Sequence, residues 1–311
     1  MPETTQFYIN GAWVAPAQAN DFPVIDPSTE EVCATVSLGD KADTDAAVAA
    51  AKAAFEGWSQ TDPSDRIAAV ERIYAAYEKR AEDLAVAISK EMGAPIEMSR
   101  QSQVTSGTWH MEGFLRAAKD FQWEHPLGDW APGEMILHQP IGVCALITPW
   151  NWPMNQIVLK VIPALLAGCT MVLKPSEIAP LSGLVFAEIM DEAGLPPGVF
   201  NLVNGDGVGV GSQLSAHPDI DMVSFTGSTR AGRLITKAAA DTIKRVSLEL
   251  GGKGANIIFA DAPEKAVKSG VIRCFRNTGQ SCNAPSRMMV ERSRYEQAVE
   301  QAIAAAESVT V

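Results

Sequence analysis

Long apolar runs are missing from this sequence: no segment approaches the ~20 uninterrupted apolar residues that a bilayer-crossing helix needs. The opening residues, Met1-Pro2-Glu3-Thr4-Thr5-Gln6-Phe7, carry neither a basic n-region nor an apolar h-region. A cytoplasmic chain without a membrane partner is therefore expected. Positive charge is scarce as well. The 25 basic residues against 37 acidic ones leave a formal net charge of −12, with no Lys/Arg-rich run. Such a surface repels a phosphate backbone, which argues against nucleic acid as a partner. Cys33, Cys144, Cys169, Cys274 and Cys282 form an odd set without Cys-x-x-Cys spacing, so reduced thiols are expected rather than a disulfide framework or zinc site. His110, His125, His138 and His217 are scattered without metal-ligand spacing, and no metal is expected.

What is present is an ordinary globular composition. Of 311 residues, 47% are hydrophobic and 20% charged, enough for a large core in two domains or one large α/β unit. About the first 120 residues read mostly as helix: Asp43 or Thr44 caps an Ala-rich stretch ending near Gly57, Ser64 or Asp65 opens a second helix, and Gly93 and Pro95 close a third. From Trp123 to Gly142 the sequence becomes aromatic and Pro/Gly-punctuated, with a strand expected over Glu134–Gln139. This segment reads as a β-hairpin arm, whose edge needs a partner, so an oligomer is expected. Short apolar strands follow at Val143–Thr148, Met171–Lys174, Val199–Val203, Met222–Thr226 and Arg245–Glu249, spaced for crossover helices. The fold class predicted is α/β, with a doubly wound, Rossmann-like parallel sheet. Ligands of such sheets bind beyond the carboxyl ends of the strands, where the polar clusters of this sequence fall.

Each cluster admits a functional and a bland reading. Gly207-Val208-Gly209-Val210-Gly211 resembles a dinucleotide fingerprint, but Ser212 stands where the third glycine belongs; it is a phosphate loop or a flexible entry into a helix. Gly227-Ser228-Thr229-Arg230-Ala231-Gly232 follows a strand and opens a helix, which suits a pyrophosphate or a plain turn. Lys174 and Glu177 in Lys174-Pro175-Ser176-Glu177 can bond ribose hydroxyls, and the carboxylate disfavours a 2′-phosphate, so NAD is favoured over NADP; the alternative is a surface loop. Pro149-Trp150-Asn151-Trp152-Pro153 is a rigid turn presenting one amide, either an oxyanion donor or a buried Asn bonding loop carbonyls. Lys160 lies in an apolar helix as a buried cation lining a water path or a snorkelling lysine. Cys144 and Cys169 sit in apolar runs and are expected to pack. Cys282 instead lies in the polar loop Gly279-Gln280-Ser281-Cys282-Asn283, and Glu249 precedes Leu250-Gly251-Gly252, which permits close approach of a ligand.

Taken together, Pro149-Trp150-Asn151, Lys174-Pro175-Ser176-Glu177, Phe225-Thr226-Gly227-Ser228-Thr229, Glu249-Leu250-Gly251-Gly252-Lys253 and Gly279-Gln280-Ser281-Cys282 resemble the NAD(P)-dependent aldehyde dehydrogenase superfamily in order and spacing. The resemblance implies that Cys282 is the nucleophile, Glu249 the general base, Asn151 the oxyanion donor with the Cys282 amide, and Lys160 a proton-relay residue. Trp150, Lys174, Glu177, Gly227, Ser228, Gly232 and Leu250 become the implied cofactor contacts. The domains implied are an NAD-binding domain over 1–122 and 143–249, an oligomerisation arm over 123–142, and the start of a catalytic domain over 250–311. A homodimer or homotetramer acting on a small-molecule aldehyde is expected.

Family chains continue beyond this point through the rest of the catalytic domain, a Glu-Glu-x-Phe-Gly-Pro-type motif and the last arm strand, so the expectation is a fragment or partial chain. Two other functions stay open: a CoA-acylating semialdehyde dehydrogenase, which Glu249 disfavours, and a nucleotide-binding chain without turnover. The identity of the aldehyde is not legible. Met154, Trp109 and Phe275 are candidate tunnel walls.

Overall fold

The computed structural model describes residues 4–309; the expectations placed on Met1–Glu3 and on Thr310-Val311 lie outside the described residues. The chain divides into two compact units, Met1–Glu249 and Leu250–Val311.

The amino-terminal part corrects the helical expectation. Four strands come first: β1 (Phe7–Ile9), β2 (Ala12–Val14), β3 (Asp21–Asp26) and β4 (Glu31–Ser37). β1 and β2 form a hairpin whose two-residue turn is Asn10-Gly11, both at positive φ (53° and 74°), the geometry of a type I′ turn. β3 and β4 form a separate antiparallel pair with an irregularity between Val24 and Ile25. β1 and β2, at three residues each, are too short to show a period, whereas β3 and β4 are six and seven residues long.

The helices then follow. α1 (Lys41–Ser59) starts one turn earlier than predicted: Asp40 is its cap, accepting from the Ala42 and Asp43 amides, while the Asp43 carboxylate returns a bond to the Asp40 amide. α2 (Pro63–Lys79) opens on Pro63, where no amide donor is missed. α3 (Ala81–Met92) ends at Gly93, as expected, in left-handed conformation. α4 (Ile96–Met98) passes through a π-helical stretch, Ser99–Val104, into α5 (Thr105–Asp120). β5 (Glu124–Pro126) and β6 (Met135–Leu137) are the expected hairpin, pairing His125 with Ile136 and leaving Trp130, Met135 and Leu137 exposed.

The α/β rhythm is as predicted: β7 (Val143–Ile147), α6 (Pro153–Leu166), β8 (Thr170–Lys174), α7 (Leu181–Glu192), β9 (Phe200–Leu202), α8 (Val210–Ala216), β10 (Met222–Gly227), α9 (Thr229–Ala240) and β11 (Arg245–Leu250). They build a seven-stranded sheet in the order β11-β10-β7-β8-β9-β1-β2. β10, β7, β8 and β9 are parallel neighbours, whereas β1 pairs antiparallel to β9 and to β2. The sheet is therefore doubly wound and parallel at its centre, with an antiparallel edge that the sequence did not suggest. Strand order runs outward from β7 to β9 and returns to the other side of β7 with β10. That reversal lies between β7 and β10, and in sheets of this kind ligands bind beyond the carboxyl ends at such a switch point. The core beneath contains Tyr77, Phe186, Phe200, Met154, Ile157, Ile162 and Leu165, all below 3% exposed.

The second unit contains β12 (Ala255–Ile258), α10 (Ala266–Phe275), β13 (Arg287–Val290) and α11 (Tyr295–Glu307), with short 3-10 turns at Arg276–Gly279 and Arg292–Arg294. β12 and β13 pair in parallel, Ala255 with Arg287 through Ile258 with Val290. Ile258, Val267 and Ala298 form their small core.

Candidate active site

The apolar strands β7, β8 and β10 end together, and each delivers a polar group where the backbone leaves the sheet. At the end of β7 the Thr148 amide donates to the Lys174 carbonyl (3.1 Å), keeping the two strand exits in register. Pro149 to Trp152 then turn into α6, whose first residue is Pro153. Trp150 and Asn151 are half-buried in this turn. The Asn151 carbonyl accepts from Gln103 Nε2 (3.1 Å).

At the end of β8, Lys174 is buried and its Nζ donates to the carbonyls of Pro175 (2.7 Å) and Gly205 (2.5 Å), with Glu177 Oε2 at 3.5 Å. Burial lowers its pKa and the Glu177 carboxylate opposes that shift. Lys174 thus ties the exits of β8 and β9 together, while Glu177 keeps a partly exposed carboxylate at the edge. The loop reading of these residues as merely superficial does not hold for the lysine.

The two glycine-rich segments part company. After β9, Asp206 Oδ1 accepts from the Gly209 amide (2.5 Å) and the Asp206 carbonyl accepts from Gly211 (3.1 Å). The chain's own carboxylate sits at the start of α8, which disfavours a phosphate there. After β10, Ser228 caps α9, accepting from the Ala231 amide (3.2 Å). The turn is shorter than expected: Gly232 is buried within the first turn of α9 and its amide donates to the Ser228 carbonyl (3.0 Å). A Cβ on Gly227 would stand 2.4 Å from the Phe225 ring, so any larger residue at the strand exit would have to displace that ring.

Three side chains here had no role assigned from the sequence, although Thr226 lay within a quoted motif. Thr148 Oγ1, Thr226 Oγ1 and both amide atoms of Asn204 are buried without a hydrogen-bond partner among the described residues. Ile147 pairs with Phe225, so Thr148 and Thr226 are neighbours on adjacent strands, one step beyond the last printed pair. Buried polar groups are normally satisfied, and this arc at the carboxyl edge is suited to a polar ligand or ordered water. The only clue was their position directly after an apolar strand run.

Lys160 is no snorkelling lysine. It is 8% exposed and Nζ donates to Ser224 Oγ (3.0 Å) on β10. Burial pushes its pKa down to about 8, against the attraction of the Glu249 carboxylate. Glu249 itself lies exposed near the end of β11, and Leu250 is that strand's last residue. Met154 is fully buried in the core, which removes it as a wall open to a ligand, while Trp109 is exposed on α5.

In the second unit, Cys282 occupies a tight turn closed by the Ala284 amide donating to the Ser281 carbonyl (3.1 Å). The Cys282 amide takes no part in that bond. Just before it, Asn277, Thr278 and Gly279 all have positive φ (56°, 54° and 72°), a costly run for a β-branched residue. Of the five cysteines, all within the described residues, Cys282 alone is exposed; Cys144 and Cys169 are buried, as expected. Phe275, at the end of α10, is also exposed.

Residues 13–311 match the aldehyde dehydrogenase family. The chain belongs to that family. Among curated relatives it is 53% identical over 302 residues to a 3-succinoylsemialdehyde-pyridine dehydrogenase of a Pseudomonas species, covering 96% of this chain and 62% of the relative. Among solved structures it resembles an aldehyde dehydrogenase from Bartonella henselae (TM-score 0.97, 58% identity, all of this chain and 65% of that one). It also resembles aldehyde dehydrogenase C from Pseudomonas syringae, solved as a cysteine-to-alanine mutant with NAD+ and octanal (TM-score 0.95, 50% identity, 100% and 64% coverage). The chain thus spans about three fifths of the length of the relatives it matches. No helix of the described residues is long and apolar enough to cross a membrane.

Proposed function

We propose that this chain carries the nucleotide-binding part and the nucleophile of an NAD-dependent aldehyde dehydrogenase, which oxidises an aldehyde to a carboxylic acid through a thioester. The carrying observation is the exposed Cys282 on its polar turn, in contrast to the buried Cys144 and Cys169. A thiolate there adds to the aldehyde carbon, and the Asn151 side-chain amide and the Cys282 amide are the donors assigned to the oxyanion that develops. When bound, NAD supplies a hydride acceptor. Glu249 then takes a proton from water, which attacks the thioester and releases the acid. Lys160, buried beside Ser224, serves to carry that proton away.

The residues at the carboxyl edge fit NAD. The unpaired Thr148, Thr226 and Asn204 groups offer hydrogen bonds, Ser228 and the start of α9 suit a pyrophosphate, and the Glu177 carboxylate suits ribose hydroxyls while repelling a 2′-phosphate. Trp150, Lys174, Gly227, Gly232 and Leu250 complete the assigned contacts, with Lys174 and Gly232 acting through backbone order rather than by free donors. On this reading residues 1–122 and 143–249 hold the cofactor, 123–142 pair with a second copy in a homodimer or homotetramer, and 250–311 begin the catalytic domain.

The test is NADH formation with octanal in the presence of NAD or NADP, for the wild type and Cys282→Ala. Turnover with NAD, abolished in the variant while NAD affinity is retained, is expected. Undiminished turnover by Cys282→Ala removes the thiol from the mechanism. Glu249→Gln is expected to form NADH in a single burst and then stall; steady turnover at the wild-type rate would assign the water-activating role elsewhere.

A further inference from the structure

The π-helical stretch Ser99–Val104 carries Gln103, a side chain that no motif singled out. Gln103 is fully buried, and its Nε2 donates to the Asn151 carbonyl at 3.1 Å and lies 3.6 Å from Met92 Sδ. The support beneath it is built with care for position. Its own carbonyl accepts from Ser106 Oγ (2.7 Å), and the carbonyl of Val104 accepts from the buried Tyr77 hydroxyl (2.8 Å). Gly107 makes room for that hydroxyl, because a Cβ there would lie 2.3 Å from Tyr77 Oη. π-helical turns are rare and recur at functional sites. Here one aims an amide at the peptide unit that leads out of Asn151.

We infer that Gln103 is a positioning residue for Asn151: by holding the Asn151 carbonyl it fixes the peptide plane, and with it the direction of the Asn151 side-chain amide. The inference rests on the oxyanion role proposed for Asn151. A donor misplaced by about 1 Å loses much of its effect on the rate, of the order of 10²-fold in comparable cases. The role assigned to Gln103 is exerted through Asn151 rather than on a reacting atom.

The test is a double-mutant cycle read by the NADH burst with octanal, using Gln103→Leu, Asn151→Ala and the pair, with NAD affinity and melting temperature measured alongside. Gln103→Leu is expected to slow the burst about 10- to 100-fold with NAD affinity changed less than about twofold, and to add nothing in the Asn151→Ala background. Gln103→Glu supplies a second reading that simple packing does not produce. Its carboxyl donates to the Asn151 carbonyl only when protonated, so its burst is expected to approach the wild-type rate at low pH and to fall as the introduced group ionises. It also serves if Gln103→Leu fails to fold. A wild-type burst rate in Gln103→Leu, an equal slowing in the Asn151→Ala background, or a Gln103→Glu profile parallel to the wild type overturns the positioning role. If Asn151→Ala itself leaves the burst unchanged, or the wild type gives none, the functional reading falls and takes this inference with it.

Discussion

Burial acts in opposite directions on two ionisable side chains of the first unit. Lys160 loses affinity for its proton, and Glu91, fully buried against the start of α7, gains it: desolvation pushes the Glu91 pKa up to about 7 although the Leu181 and Ser182 amides and the Ser182 hydroxyl favour the ionised form. The folded chain therefore keeps a proton on Glu91 between about pH 4.5 and 7 that the unfolded chain releases. Stability from this group is complete at low pH and is lost as pH rises through about 7. Glu91→Gln is expected to remove that part of the slope, so the melting temperatures of wild type and variant should converge or cross between pH 5 and 8. A constant gap across that range would show that Glu91 does not titrate there. At this scale the sequence was most informative where a residue type was out of place: a cysteine in a polar loop, a lysine in an apolar helix. It gave no sign of Gln103 or Thr148, because a buried polar side chain looks like any other until its neighbours in space are known.

Elements built on continuous apolar runs were legible. β7, β8, β9, β10 and β11 all fall within a residue or two of expectation: β7, β8 and β9 are buried on both faces and read as unbroken apolar runs, while β11 shows the alternation of a half-exposed strand. The short β1 and β2 were not, although Asn10-Gly11 is the turn signal of a hairpin and was there to be read. The start of α1 was misplaced because Asp43 is part of the cap as the returning member of the box, while Asp40 receives the amides. Asp40→Ala is expected to cost about 1 kcal/mol in urea unfolding, the usual worth of a lost cap. An unchanged midpoint would mean that α1 is held by packing alone. Gly107→Ala should cost more, about 1–3 kcal/mol, because the added methyl displaces the Tyr77 hydroxyl from Val104.

At the scale of the whole molecule, the order of the motifs along the chain carried the family, and the sheet explains why. Asn151, Glu177 and Ser228 lie far apart in sequence, yet each follows a neighbouring parallel strand, so one edge of the sheet collects them. What stayed hidden was the antiparallel edge at β1 and β2. If the carboxyl edge of the parallel strands binds NAD, the cofactor stabilises the folded state by mass action, about 2.7 kcal/mol at a concentration 100 times its Kd. NADP should stabilise less at the same concentration because of Glu177, and Glu177→Gln should narrow the difference. Equal shifts in melting temperature for both nucleotides would remove Glu177 as the selector.

The account turns on Cys282 becoming acylated, and the most direct measurement is the intact mass and peptide map of Glu249→Gln after mixing with NAD and octanal. The expected result is a mass gain of one octanoyl group, located on the peptide that contains Cys282 and absent when Cys282 is replaced by alanine. NADH formed without any adduct on that peptide, or an adduct on another residue, would contradict the mechanism proposed for this chain.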